Sequence, residues 1–156
     1  MKHPFLVGKV VYLRALEKED LMGNYFQWFN DQEVCRFNSH GRAPNNAAKM
    51  ESYLQRAYTD PSLAVFAISF LENDAHVGNI SLQDINLIDR SAEYAIVLGE
   101  KDYWGKGVAK DASDLILRHG FMTLNLHRVY CGTSVENTGM QKLASYMGMK
   151  EEGRRR

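Results

Sequence analysis

Glu93 and the run Trp104-Gly-Lys-Gly-Val-Ala109 are the residues whose types and order could do chemistry. A glutamate beside a cleft can serve as a proton acceptor, because desolvation raises its affinity for a proton. Glycines at 105 and 107 let the backbone approach a ligand where a Cβ would obstruct it. A helix opening just after them leaves the amides of its first turn without partners, and its dipole favours an anion in front of them. Lys106 and Lys110 are like charges one helical turn apart at the positive end of that dipole. The pair is locally unfavourable by a few tenths of a kcal/mol, and a bound phosphate reverses the sign. Plain alternatives stand beside both features: a solvated lysine pair after an ordinary glycine turn, and an outward-facing strand glutamate. Two other phosphate loops are excluded. A dinucleotide fingerprint needs glycine or alanine at 110, where Lys stands, and no Gly-x-x-x-x-Gly-Lys-[Ser/Thr] occurs.

The elements that must position these groups follow from periodicity. Ala92 to Leu98 reads as the strand carrying Glu93. Val108, Ala109, Ala112, Leu115 and Ile116 share one face of the helix after the loop, with Gly120 as its end. Upstream, Gly8 to Arg14 is a strand, and Leu21, Tyr25, Trp28 and Phe29 give a helix running to about Asn30 after an acidic first turn. Asp31 to Arg42 is a loop. Pro44 suits an early helical position, and Ala47, Met50, Leu54 and Ala57 mark a second helix ending before Asp60-Pro61. Leu63 to Phe70 and His76 to Leu82 form a hairpin about Glu72 to Ala75, and Gln83 to Arg90 connects it onward. Downstream, His127 to Val135 alternates as a half-buried strand. Asn137 caps a helix with Met140, Leu143, Ala144 and Met147 inward, and Gly148 stops it. The order β-α-α-β-β-β-α-β-α predicts a mixed sheet with helices packed on it, an α/β (α+β mixed sheet) class.

The loop Trp104 to Ala109 resembles the pyrophosphate loop of the GNAT superfamily, the acetyl-CoA-dependent N-acetyltransferases, whose usual form is Gln/Arg-x-x-Gly-x-Gly/Ala. Trp104 in place of the first residue is similar to the branch that acetylates ribosomal-protein N-termini, spermidine and amino sugars. The resemblance runs from about Gly8 to Gly153 and is strongest from Gly78 to Gly148. It implies acetyl-CoA as cosubstrate, bound in part by main-chain groups of Ile96, Val97 and Leu98, where the central strand splays from its neighbour. It places the pyrophosphate on the amides of Trp104, Gly105, Lys106, Gly107, Val108, Ala109 and Lys110, with Asn137 and Met140 at the next strand–helix junction. Asn137 as a plain helix cap is compatible with that role. Glu93 stands about where many relatives place the general base. Many also carry a tyrosine that protonates the leaving thiolate; here that position is Ala144. Tyr146 lies roughly 200° further around the helix and should point elsewhere.

The resemblance also places an acceptor pocket between the first two helices, near Trp28, Arg36 and His40. Trp28 lies on an apolar stripe, so core packing is its rival role. Arg36 suits a phosphate or carboxylate of the acceptor. The implied reaction is direct acetyl transfer to a primary amine, without metal or covalent intermediate. The segments Gly78-Asn-Ile-Ser-Leu82 and Arg90-Ser-Ala-Glu-Tyr94 most resemble acetyltransferases of nucleotide-linked amino sugars, which implies such an acceptor first. A protein N-terminus of the ribosomal-protein type or spermidine follows, and a non-catalytic CoA-binding regulatory module is the alternative of another class.

Bulk properties narrow the field. One domain over 1–156 is expected, and a chain of 156 residues buries roughly two thirds of its unfolded surface. Nineteen basic residues balance nineteen acidic ones, so no global field draws in nucleic acid or an anionic membrane. Cys35 and Cys131 lack zinc spacing, the five histidines do not pair as ligands, and neither a signal segment nor a long apolar run is present. The expected compartment is the cytoplasm. Arg154 to Arg156, beside Glu151 and Glu152, reads as a solvated segment. Relatives usually continue with two more strands, so the C-terminal end is expected to be incomplete. The open sheet edge this leaves invites association, with a homodimer the simplest form.

Overall fold

Alternating apolar positions join into one sheet of six strands, arranged in chain order, in a computed structural model that describes residues 1–155. β1 (Leu6–Val7), β2 (Val11–Arg14), β3 (Ala64–Phe70), β4 (His76–Asn86) and β5 (Ser91–Leu98) are antiparallel neighbours, and β6 (Arg128–Tyr130) joins β5 in parallel. A parallel step needs a long crossover. It is made by α3 (Val108–Met122), which packs across β2 and β4, with α4 (Thr138–Tyr146) beside it. α1 (Tyr25–Trp28) and α2 (Ala47–Thr59) cover the opposite face.

Strand alternation divides the core between these faces. Val11, Leu13, Ile68, Ile80, Leu82, Ala92 and Tyr94 pack against Val108, Ala112 and Ile116 of α3. Val65 and Ala67 point the other way, onto Tyr25, Trp28, Met50 and Leu54. Inside the first layer the Tyr94 hydroxyl meets Ser113 Oγ at 2.7 Å, and Ser113 donates back to the Ala109 carbonyl. This locks β5 onto the first half of α3.

Several expected boundaries move. The strand expected over Gly8 to Arg14 begins only at Val11, since residues 8–10 form the turn from the preceding β1, where the Asp111 side chain holds the amides. The helix expected to reach Asn30 breaks into a 3-10 turn, Lys18–Met22, and the one-turn α1. Gly23 interrupts it, and Asp20 turns inward to make a bidentate pair with Arg14 at 2.7 and 2.8 Å. Pro44 lies outside α2, whose cap is Asn46, accepting from the Lys49 amide. β4 continues to Asn86 rather than ending at Leu82.

Gly120 does not stop α3. It is buried within the helix, and a Cβ there would stand 3.1 Å from Leu82 and 3.3 Å from Leu126, so its role is close packing. β6 is three residues long rather than spanning His127 to Val135, because only Ser91 to Glu93 of β5 pair with it. No strand flanks the far side of β6 among the described residues. Asn137 does cap α4, accepting from the Met140 amide, and Gly148 follows the helix at φ +78°. At the C-terminus Glu152 makes a bidentate pair with Arg128, and Glu151 pairs with Arg154. Arg156, the last of the arginine run, lies outside the described residues. Among the described residues no helix is long and apolar enough to cross a membrane.

Candidate active site

β5 and β6 part company at Glu93. Their ladder is Ser91 with Arg128, Ala92 with Val129 and Glu93 with Tyr130, and it ends there. The Gly99 amide donates to the Val77 carbonyl on β4, whereas the Arg90 carbonyl accepts from Arg128 on the other side. By alternation, the main-chain groups of Val97 face Asn79 of β4, and those of Ile96 and Leu98 face the side that β6 has left. Ile96 therefore presents an open amide and carbonyl on this edge, and Leu98 an open amide. Val97 corrects the expectation for this strand: its amide and carbonyl are already committed to the sheet. The Leu98 carbonyl on that edge accepts from Trp104 Nε1 at 3.0 Å, so the indole fastens the start of the loop to the end of β5.

The loop then delivers a row of donors. Gly105 and Gly107 hold φ of +76° and +79°, the left-handed region that disfavours a side chain, and a Cβ on either would touch nothing within 4 Å. The backbone conformation requires glycine here, not a neighbour within the chain. The first backbone bond of α3 is Asp111 N–H to the Gly107 carbonyl, and the amides of Gly105, Lys106, Gly107, Val108, Ala109 and Lys110 have no partner among the described residues; the Trp104 amide corrects the expectation, since it donates to the Lys101 carbonyl at 3.0 Å. The Lys106 ammonium stands 5.3 Å from the Tyr103 ring centre, and that of Lys110 5.0 Å from that of Tyr146. Six free amides, two flanking ammonium groups and the positive end of a helix fit a diphosphate.

On the α1/α2 face, Asn79 and Ser81 are buried polar residues of β4, and Gln83 donates to Ser81 Oγ at 3.0 Å. They pair across the ladder with Val97, Ala95 and Glu93, so Glu93 closes a polar stripe at the fork. Its side chain is half-buried and makes no ion pair among the described residues. Beyond β6, burial and then the Glu93 charge push the Cys131 thiol above its ordinary value.

The expected acceptor residues separate. Trp28 is 3% exposed, lies against Gly99, where a Cβ would meet its ring at 1.8 Å, and donates to Glu100 Oε1 at 2.8 Å. It is a packing group behind the site rather than a surface that an acceptor meets. His40 stacks on Phe29 with ring centres 4.2 Å apart, and burial lowers its affinity for a proton. A cavity of about 180 Å³ opens beside that pair, lined also by Ser39, Arg42, Asn45 and Lys49, with no carboxylate in its wall. Arg36 does not line it; its guanidinium stands over the Phe37 ring. On α4, Met140 packs its side chain into the core and Ala144 is half-buried. Tyr146 turns to α3, where its hydroxyl donates to Asp114 at 2.7 Å.

Against known proteins, residues 11–150 match the family model for the acetyltransferase (GNAT) domain. The chain belongs to the GNAT acetyltransferase family. The spermidine N(1)-acetyltransferase of Vibrio cholerae serotype O1 is 37% identical over 141 residues, covering 90% of this chain and 79% of that one. The crystal structure of spermidine N-acetyltransferase from Vibrio cholerae in complex with CoA and spermine superposes with a TM-score of 0.80 at 28% identity, over 92% of this chain and 82% of that one. A dodecameric structure of the enzyme from the same organism gives 0.72 at 28% identity, over 92% and 81%. The protein is an N-acetyltransferase, and the mixed sheet with its forked central strands is the GNAT fold.

Around this GNAT site lie residues that the sequence did not single out. Lys101 reaches from just after β5 to Asp31 at 2.9 Å and Glu33 at 2.6 Å, tying the segment after α1 to the loop before α3. Asp111 binds the β1–β2 turn, and Glu100 receives the Trp28 indole. No local pattern announces these partners, which are far apart in the chain. The acidic residue in the first turn of α3 is the one signal available beforehand.

Proposed function

We propose that the enzyme transfers the acetyl group of acetyl-CoA to a small primary amine by direct attack at the β5–β6 fork, with a polyamine of the spermidine kind as the first acceptor class. The observation that carries the catalytic reading is the continuity of the open β5 edge with the six unpaired amides that begin α3. In this reading acetyl-CoA supplies the activated carbonyl. Ile96 and Leu98 align its arm through edge hydrogen bonds, and the amides of residues 105–110 hold its pyrophosphate, assisted by Lys106 and Lys110. Asn137, Met140 and the first turn of α4 form the far wall. Glu93 takes the proton that the amine loses as its nitrogen bonds to the carbonyl carbon and the carbon–sulfur bond breaks. The thiolate is protonated from solvent, since Ala144 offers no acid and Tyr146 is held by Asp114.

The acceptor class rests on the Vibrio cholerae relative at 37% identity. A second reading is favoured by the cavity at the α1–α2 connection. Its His40, Arg42 and Lys49 lining suits an amine that also bears a phosphate or carboxylate, such as a nucleotide-linked amino sugar. The nearby carboxylates Asp31 and Glu33 are already bound to Lys101, which leaves less negative charge for a polycation. Purified enzyme with acetyl-CoA, assayed for released thiol against spermidine, a UDP-amino sugar and N-terminal peptides, separates the classes. Turnover of spermidine alone supports the first. Turnover of the anionic amine with none of spermidine moves the acceptor to the second. We place the enzyme in the cytoplasm as a homodimer or larger assembly, which light scattering measures.

A further inference from the structure

An aspartate in the first turn of a helix ordinarily stays beside that helix's own free amides, where the dipole favours its charge. Asp111 does not. Its carboxylate leaves α3 and seats itself in the β1–β2 turn, accepting from the amides of Lys9 at 3.2 Å, Val10 at 2.7 Å and Val11 at 2.9 Å. The seat is built for it. The turn is closed by the Gly8 amide on the Val11 carbonyl, and a Cβ on Gly8 would stand 2.3 Å from Asp111 Oδ2. Three donors satisfy one carboxylate in charge-assisted bonds, which are the stronger kind.

We propose that Asp111 is a positioning residue for cofactor binding: by docking in the β1–β2 turn it fixes the start of α3 and keeps its own negative charge off the amides that receive the pyrophosphate. Two consequences act together. The amides of residues 105–110 lie between two anchors, the Trp104 indole on Leu98 at one end and the Asp111 carboxylate on β1–β2 at the other. Their direction is set before ligand arrives, so little ordering remains to oppose binding. The carboxylate would otherwise compete with a diphosphate for the same donors, and the turn sequesters it.

The proposal rests on the assignment of the loop to the pyrophosphate, so its test carries a control for that assignment. Asp111→Ala and Gly8→Ala attack the contact from opposite sides, the second leaving the carboxylate in place but evicting it from its seat. Kinetics well below each variant's Tm, with acetyl-CoA and with S-acetylpantetheine, which lacks the diphosphate, give the readout. In both variants KM for acetyl-CoA should rise about tenfold or more, while kcat holds within about twofold and KM for S-acetylpantetheine is unmoved. A lowered Tm with unchanged KM for acetyl-CoA overturns the proposal, as does equal weakening of both cosubstrates. Where Asp111→Ala does not fold, Asp111→Asn gives the same comparison, because its amide sets donors against donors. If Gly107→Val leaves CoA affinity unchanged, the loop assignment itself fails; if Gly107→Val weakens CoA and the Asp111 and Gly8 variants do not, only the positioning role fails.

Discussion

Glu93 is half-buried at the last rung of the β5–β6 ladder, faces a polar stripe and makes no ion pair among the described residues, which suits a group that accepts a proton and returns it to solvent. Glu93→Gln keeps the shape and removes the charge. It should leave CoA affinity intact by calorimetry and lower kcat/KM by about 10²- to 10⁴-fold, the usual scale for losing a general base. Wild-type turnover in this variant means another group takes the proton. Ala144 is the companion case, a half-buried position where the resemblance leads one to expect a tyrosine. Ala144→Tyr should be tolerated if space lies in front of α4, with kcat level or higher for small amines and large acceptors excluded. If the position is packed, the added ring costs about 1–3 kcal/mol. Melting temperature measured together with kcat on a small and a large amine decides between these outcomes.

Among the elements, the Trp104–Ala109 loop and α3 form one device, and two of its glycines serve opposite ends. Gly107 holds φ +79° with open space around it. Gly107→Val therefore strains the backbone by about 1–2 kcal/mol and sets a branched side chain in front of the amides proposed to receive the diphosphate. Calorimetry should show CoA affinity falling by an order of magnitude or more, with only a modest loss of Tm. Gly120 is a packing glycine deep in α3. Its missing Cβ leaves room for the ends of the Leu82 and Leu126 side chains. Gly120→Ala gains helix propensity of roughly 1 kcal/mol against mild crowding and should be nearly neutral, whereas Gly120→Val should cost about 1–3 kcal/mol in denaturant melts. Equal stability of the two variants would show that β4 and the segment before β6 yield more easily than close packing implies.

For the whole molecule, the tie between the sheet and the α1 side is a buried ionic network. Arg14 of β2 holds Asp20 in a bidentate pair, with both side chains 9% exposed, and reaches Ser69 and the Ala15 carbonyl. His76 of β4 bridges Asp20 at 3.4 Å and Asn79 at 2.7 Å. Burial by itself raises the Asp20 carboxyl, but hydrogen bonds from Arg14 and His76 outweigh it and hold the carboxyl well below the usual carboxylate range. The sign follows from that depression. The stability Asp20 contributes is complete above its unfolded value of about 4 and is lost as the pH falls below it toward the folded value. Tm should hold near neutrality and drop steeply in acid. Asp20→Asn leaves the Arg14 guanidinium buried without a counter-charge and should cost about 3–5 kcal/mol at pH 7, with a flatter acid limb than wild type. A parallel acid limb in the variant would assign the acid loss to other carboxylates.

Much of this protein was legible in the chain because the signals are local. Alternation over Ala92 to Leu98, the apolar face from Val108 to Ile116 and the Asn137 cap each specify an element from a few neighbouring residues, and their order specifies a mixed sheet. The glycine–lysine–glycine run marked the candidate anion site for the same reason: a loop that opens a helix exposes its amides wherever it is folded. What the tertiary structure alone decided are the partners. The length of β6 is set by how many rungs β5 offers it, not by the alternation of His127 to Val135. Trp28 became a wall because Gly99, far along the chain, leaves room for its ring. Val97 proved committed to β4 because main-chain direction along a strand is fixed only once its neighbours are known. Asp111 found its donors in a turn a hundred residues away. Periodicity records which face of an element is apolar, but contacts between distant segments arise only when those faces close on one another, and the supports of the site are contacts of that kind.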